Sequence, residues 1–257
     1  MITASHLQFS IGNKVLLQDI SLCFEAGKIS LIIGANGAGK STLLKLLCNQ
    51  LKPQSGTISF GEKPLTDFTN NELACIRAVL SQQIELAFPL AVEEVVMMGR
   101  YPHFTGRPQE NDHKACTEAM AAFDLIPLTG RNYQTLSGGE KQRVHFARVM
   151  AQTWYAKEGY DRYLLLDEPL TFLDIQHQYQ FMHTLVKLAG EKRVIVGVVH
   201  DLNLAAQFAD YLVLLHQGKV LSAGTTDEVL TESNIETGFG IRPVIQQQDG
   251  KMLILFS

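Results

Sequence analysis

Three stretches of the chain carry residue types whose chemistry depends on their spacing. Gly34-Ala35-Asn36-Gly37-Ala38-Gly39-Lys40-Ser41 matches G-x-x-x-x-G-K-[ST] at every defined position. A polyphosphate needs many N–H donors at close range. Backbone approaches that closely only where glycine removes the Cβ, and a following helix N-terminus adds a favourable dipole. In such a loop Lys40 reaches the β and γ phosphates and Ser41 ligates Mg²⁺. The second stretch, Leu164-Leu165-Leu166-Asp167-Glu168-Pro169, is an apolar run ending in two adjacent carboxylates. Successive residues of a strand point to opposite sides, so the two acids can take different roles. Asp167 suits Mg²⁺, directly or through water, and Glu168 suits a base that polarises water for attack on a γ phosphate. Taken alone, two acids at a strand end are more often a solvated turn or a helix cap; the phosphate loop in the same chain favours the catalytic reading. The third stretch, Leu136-Ser137-Gly138-Gly139-Glu140, is either an ordinary N-cap or a second anion-seeking helix start.

The elements that position these residues follow from periodicity. His6–Ile11 and Ser21–Phe24 alternate like strands, with Gly12-Asn13 as a turn, which predicts an edge hairpin. Lys28–Ile33 is nearly continuous apolar sequence ending at Gly34, as expected of a strand buried on both faces. Ser41–Leu51 carries leucines at helical spacing and predicts a helix stopped by Pro53. The phosphate loop therefore joins a strand to a helix. From about Ile84 to Tyr160 helical patterns such as Val92–Arg100 and Asp112–Phe123 replace the strand signal, predicting a helical insert. Strand patterns return at Tyr163–Leu166, Val194–Val199 and Tyr211–Leu215, separated by helical stretches, which implies a mostly parallel α/β sheet. Lys251–Phe256 reads as a closing strand.

Composition bounds the rest. The 257 residues are 46% hydrophobic and 19% charged, enough for a sizeable core and incompatible with a disordered chain. A formal net charge of -4 argues against electrostatic wrapping of nucleic acid. Cys23, Cys48, Cys75 and Cys116 are too far apart for a C-x-x-C knuckle or redox pair, which fits a reducing compartment. With no apolar stretch long enough to span a bilayer, any membrane role is expected to be peripheral.

Taken in order along the chain, these motifs resemble the ATP-binding-cassette (ABC) family, with Leu136–Glu140 as its signature sequence. The resemblance implies a P-loop NTPase core with a mostly parallel sheet, an N-terminal antiparallel β subdomain and a helical, signature-bearing subdomain. The whole of 1–257 is then a single nucleotide-binding domain, its helical subdomain, about 84–160, inserted in a RecA-like core. ATP contacts are expected at Gly34, Ala35, Asn36, Gly37, Ala38, Gly39, Lys40, Ser41 and Thr42, and from Ser137, Gly138, Gly139 and Asp174. Mg²⁺ falls to Ser41, Asp167 and Gln82. Gln82 matches the family's Q-loop glutamine, Asp174 its D-loop aspartate and His200 its switch histidine, so Glu168, His200 and Gln82 form the implied catalytic set. The sequence departs from the family pattern in two places. Ile11 stands where an adenine-stacking aromatic is usual, leaving adenine to Ile11 or to Phe9. Leu170, Thr171 and Phe172 replace the usual small residues after Glu168-Pro169.

One chain holds two phosphate-seeking helix starts but a single Lys40, Ser41, Asp167 and Glu168 set. Two chains apposed head to tail about a twofold axis would each complete the other's site with Ser137, the family's mode. The stretch Glu85–His103 is similar to ATPase subunits of bacterial importers for ferric siderophores, haem and cobalamin, where it receives a permease's coupling helix. Ala87-Phe88-Pro89 and 151–162 resemble the hemin-import members of that group. The implied partners are a second copy of the chain, two copies of a multi-span permease and, indirectly, a periplasmic substrate-binding protein, with no nucleic acid. The implied location is peripheral, on the cytoplasmic side of the inner membrane. A soluble cassette ATPase acting on DNA or ribosomes is the competing class; its usual second cassette, long coiled coils and basic arms are not visible. Glu168 and His200 argue against a regulator without catalysis.

Overall fold

The computed structural model describes residues 1–80, 88–155, 159–171, 173–190, 193–248 and 250–256. The chain opens with β1 (Ile2–Ile11), β2 (Lys14–Phe24), β3 (Ile29–Ile33), α1 (Lys40–Leu47), β4 (Ser55–Phe60) and β5 (Lys63–Pro64). It continues through α2 (Asn70–Ile76), β6 (Arg77–Leu80), α3 (Val92–Met97), α4 (Glu110–Ala122) and α5 (Gly138–Gln152). Then come β7 (Arg162–Asp167), α6 (Ile175–Ala189), β8 (Arg193–Val198), α7 (Leu202–Phe208), β9 (Tyr211–His216) and β10 (Lys219–Gly224). It closes with α8 (Thr226–Val229), α9 (Glu232–Phe239), β11 (Pro243–Gln248) and β12 (Lys251–Phe256).

The first two strands pair antiparallel from Ile2↔Phe24 to Ile11↔Lys14, across the expected Gly12-Asn13 turn. They are not an edge hairpin on the main sheet. They belong to a separate four-stranded antiparallel sheet, order β2-β1-β4-β5, in which β1 is interior because β4 pairs along its other side. The main sheet has the order β10-β9-β3-β8-β7-β6. Its four pairings from β9 to β6 are parallel, and β10 returns antiparallel on β9. All of β3 and all of β8 are buried, as covering both faces requires.

Strand periodicity sorts the main sheet's side chains into two cores. Leu31, Ile33, Leu164, Leu166, Ile195, Leu212 and Leu214 face a cluster with α3 to α9. Ile32, Tyr163, Leu165, Val194, Val196, Val213 and Leu215 face a cluster with α1 and the antiparallel sheet. Phe60 of β4 stacks on Tyr163 of β7 with ring centroids 4.2 Å apart, joining the two sheets.

Two helix ends differ from the periodicity. The first helix stops at Leu47, well before Pro53: Asn49 turns left-handed at φ 57, and Leu51 packs outside the helix. The Val92 helix stops at Met97 and continues as a 3₁₀ stretch over Met98–His103, which contains Pro102. The predicted closing strand is β12, paired antiparallel with β11 in a two-stranded sheet.

Candidate functional site

The phosphate loop links the buried β3 to α1, and its shape is set by glycine. Gly34 has φ 147, and a Cβ there would lie 2.3 Å from the Leu215 carbonyl oxygen. Gly39, the N-cap of α1, has φ 106, with Leu17 Cδ2 at 2.8 Å and Leu16 O at 2.9 Å from a Cβ position. The loop is thus pressed against backbone on one side, which only glycine permits. Gly39 gives α1 no side-chain cap, so the amides of the first turn are not taken by a capping oxygen.

Lys40 is 5% exposed, and its Nζ donates to the carbonyls of Gly34 at 2.8 Å and Ala35 at 3.1 Å. Burial lowers its pKa, while the charges of Glu168 and Asp167 oppose that shift. Ser41 Oγ donates to Asp167 Oδ1 at 3.2 Å across 126 residues of sequence. Burial raises the Asp167 pKa against the lowering effect of the Ser41 bond, and the Glu168 charge raises it further. A half-buried carboxylate beside a hydroxyl is a hard oxygen pair that fits Mg²⁺, an ion that commonly takes few protein ligands and completes its shell with phosphate and water. The glycine cradle, the buried ammonium and this oxygen pair all fit a nucleotide with its magnesium.

Glu168 lies just past the end of β7 with φ 49, in the left-handed region. That turn, rather than strand alternation, separates the two acids: Asp167 reaches Ser41, and Glu168 Oε1 lies 2.8 Å from His200 Nε2. A non-glycine residue held in this region is a strained feature of the kind found at functional sites. Glu168 and His200 line a cavity of ≈ 200 Å³ with Thr171, Gln178 and Asp201 among its walls.

Ser137 forms a different kind of helix start. It caps α5 through a reciprocal box, accepting from Glu140 N–H at 3.3 Å while Glu140 Oε2 accepts from Ser137 N–H at 2.8 Å. These bonds hold the Glu140 carboxyl below the usual carboxylate range. Gly138 and Gly139 have open space at their Cβ positions. Asp174 caps α6, accepting from His177 N–H at 2.9 Å and lying 2.7 Å from His177 Nδ1, which lowers its pKa.

The fold therefore gathers Lys40, Ser41, Asp167, Glu168 and His200 into one group, in which Ser41 bonds Asp167, Glu168 pairs with His200, and Lys40, bonded to the loop carbonyls, feels the charge of both carboxylates. Among the described residues, no hydrogen bond or ion pair joins Ser137, Gly138, Gly139 or Asp174 to it. Gln82 and Phe172 lie outside the described residues. Phe9 is 9% exposed in the core beneath the antiparallel sheet, whereas Ile11 is 63% exposed near the hairpin turn.

Sequence reasoning missed the residues that hold the loop after Glu168. Gln142 on α5 donates to Pro169 O at 3.1 Å, and Gln178 on α6 donates to Leu173 O at 3.1 Å. Polar residues on helical faces carry no local signal for such partners.

Residues 17–171 match the family model described as ABC transporter. A "Hemin import ATP-binding protein" of Gloeobacter violaceus is 46% identical over 96% of this chain and 90% of its own. Another from Escherichia coli O157:H7 is 42% identical over 93% of this chain and 92% of its own. Among solved structures, a chain described as a metal-chelate type ABC transporter in an inward-facing conformation superposes with TM-score 0.81 at 25% identity, covering 100% of this chain and 96% of that one. A dimeric ATP-binding cassette in a post-hydrolysis state with ADP and Pi gives TM-score 0.72 at 26% identity over 88% of this chain and 99% of that one. The chain belongs to the ABC transporter family.

Proposed function

We propose that this chain is the ATP-hydrolysing subunit of a bacterial importer and that its transporter takes up haem. The Ser41–Asp167 and Glu168–His200 pairs, set beside the buried Lys40 at the mouth of a glycine loop, are the observation that carries the hydrolytic reading. The glycine loop, from Gly34 to Thr42, holds the phosphates of ATP, and Lys40 exchanges its loop carbonyls for the β and γ phosphate oxygens. Ser41 and Asp167, with Gln82, hold magnesium. When bound, the ion offsets charge on the phosphate oxygens.

Glu168 accepts a proton from a water whose oxygen attacks the γ phosphorus, and the bond to the β-phosphate oxygen breaks to release ADP. His200, within hydrogen-bond distance of Glu168 Oε1, fixes that carboxylate and stands ready to meet the γ phosphate. Ser137, Gly138, Gly139 and Asp174 act across the interface of a head-to-tail dimer, where Gly138 and Gly139 already face open space. Adenine rests on the exposed Ile11 rather than on the buried Phe9. We place residues 1–257 in one nucleotide-binding domain, with the helical subdomain about 84–160 inserted in its core.

The partner permease docks on the helical region. A groove of ≈ 460 Å³ there is lined by Leu90, Met97, Met98, Tyr101, Phe104 and Met120 among others, and Glu93 and Glu94 stand at its wall. Attachment runs through the permease, on the cytoplasmic face of the inner membrane, as the import relatives support; among the described residues no helix is long and apolar enough to cross a membrane. A periplasmic binding protein delivers cargo to the far side. The names of the hemin-import relatives support haem, while the metal-chelate neighbour supports a ferric siderophore or cobalamin as the second reading.

Two measurements test this. Purified protein should release phosphate from ATP in the presence of Mg²⁺ and stop when EDTA removes it; no release with the permease present would contradict hydrolysis. In reconstituted vesicles, binding protein loaded with haem should stimulate turnover more than one loaded with ferric siderophore; the reverse order would overturn the cargo.

A further inference from the structure

The phosphate loop is braced from outside by a turn that belongs to none of the motifs. Between β9 and β10 the chain reverses in two residues, Gln217 at φ 48 and Gly218 at φ 76, both positive as a type I′ hairpin requires. The Gly218 N–H donates to the Ala38 carbonyl at 3.1 Å, and the Gly218 carbonyl accepts from Gln18 N–H at 2.8 Å. One residue thus ties the loop to β2, a strand of the other sheet. There is no room for a side chain: a Cβ on Gly218 would lie 2.6 Å from Leu16 O and 3.0 Å from Leu16 C. The same Leu16 O crowds Gly39, whose Cβ position is also 3.7 Å from Gly218 Cα.

A trans peptide is planar, with its C=O and N–H pointing opposite ways. Fixing the Ala38 carbonyl toward Gly218 turns the Gly39 N–H away from the hairpin, to the open side of the loop. We propose that Gly218 is a positioning residue for nucleotide binding: by holding the Ala38 carbonyl, it aims the Gly39 N–H at the phosphate. It touches no substrate itself, and the proposal rests on the ATP-binding reading above.

Gly218→Ala tests it, with ADP and Mg²⁺ as the calorimetric probe. The dissociation constant for ADP and the KM for ATP should both rise about tenfold, with kcat at saturating ATP within about twofold of wild type. Gln217→Gly keeps the turn and both Gly218 bonds and should leave KM unchanged. A folded Gly218→Ala protein with wild-type affinity and KM, or one losing kcat alone, overturns the proposal. Should Gly218→Ala fail to fold, wild-type hydrogen exchange decides: ADP should slow exchange in a peptide spanning 214–220 as well as in 34–42. Protection confined to 34–42 overturns the role. A wild-type chain that does not bind ADP would instead remove the nucleotide reading, and this proposal with it.

Discussion

The chain contains two glycine-bearing helix starts, and they are built in opposite ways. At α1 Gly34 and Gly39 are wedged against Leu215, Leu16 and Leu17, the N-cap has no side-chain oxygen, and Lys40 is buried over the loop carbonyls. At α5 the glycines face open space and the N-cap is fully furnished by Ser137 and Glu140. The first start is completed inside the chain and reserves its amides for a ligand. The second is a self-sufficient helix end whose glycines clear a surface, which is what a site completed by another copy needs.

Substitutions at the two starts and at the base beside them should have different effects. Glu168→Gln should leave ATP affinity intact while turnover falls roughly 10²–10⁴-fold, the range for losing a general base; phosphate release under saturating ATP reads it. Lys40→Ala removes two charge-assisted bonds from the closed start and should weaken ATP binding about a hundredfold by calorimetry. Because the lost ammonium is buried, its removal should lower thermal stability little. Gly34→Ala places a Cβ against the Leu215 carbonyl at a strained φ and should cost about 2 kcal/mol or more in denaturant unfolding. Gly138→Ala at the open start should do the reverse. It should stabilise the protein by up to about 1 kcal/mol, since alanine outranks glycine in a helix, and yet slow turnover. Equal stability effects at Gly34 and Gly138 would erase the distinction between the two starts.

What the sequence disclosed tracks how local each feature is. The glycine loop, the carboxylate pair and the Ser137 turn are contiguous strings flanked by the strands and helices that periodicity predicts, and the fold places them at those junctions. The pairing of β1 with β4 was not legible, because register between strands about fifty residues apart leaves no mark within either one. For the same reason the Gln142 bond to Pro169 and the Gly218 bond to Ala38 emerged only from the fold. Strand alternation predicted that Asp167 and Glu168 would diverge, but the divergence comes from the left-handed backbone of Glu168, which no pattern announces. The early end of α1 at Leu47 likewise follows from Asn49 turning left-handed, against a leucine pattern that runs on to Leu51.

The claim that one chain's Ser137 completes its partner's Lys40 site is tested most directly by mixing two inactive variants. Lys40→Ala and Ser137→Arg chains, each expected to be silent alone, should recover up to about a quarter of wild-type phosphate release when combined equally. Half of the random dimers then carry one intact composite site. A silent mixture of folded, dimer-forming chains, or Ser137→Arg chains that hydrolyse ATP unaided, would contradict it.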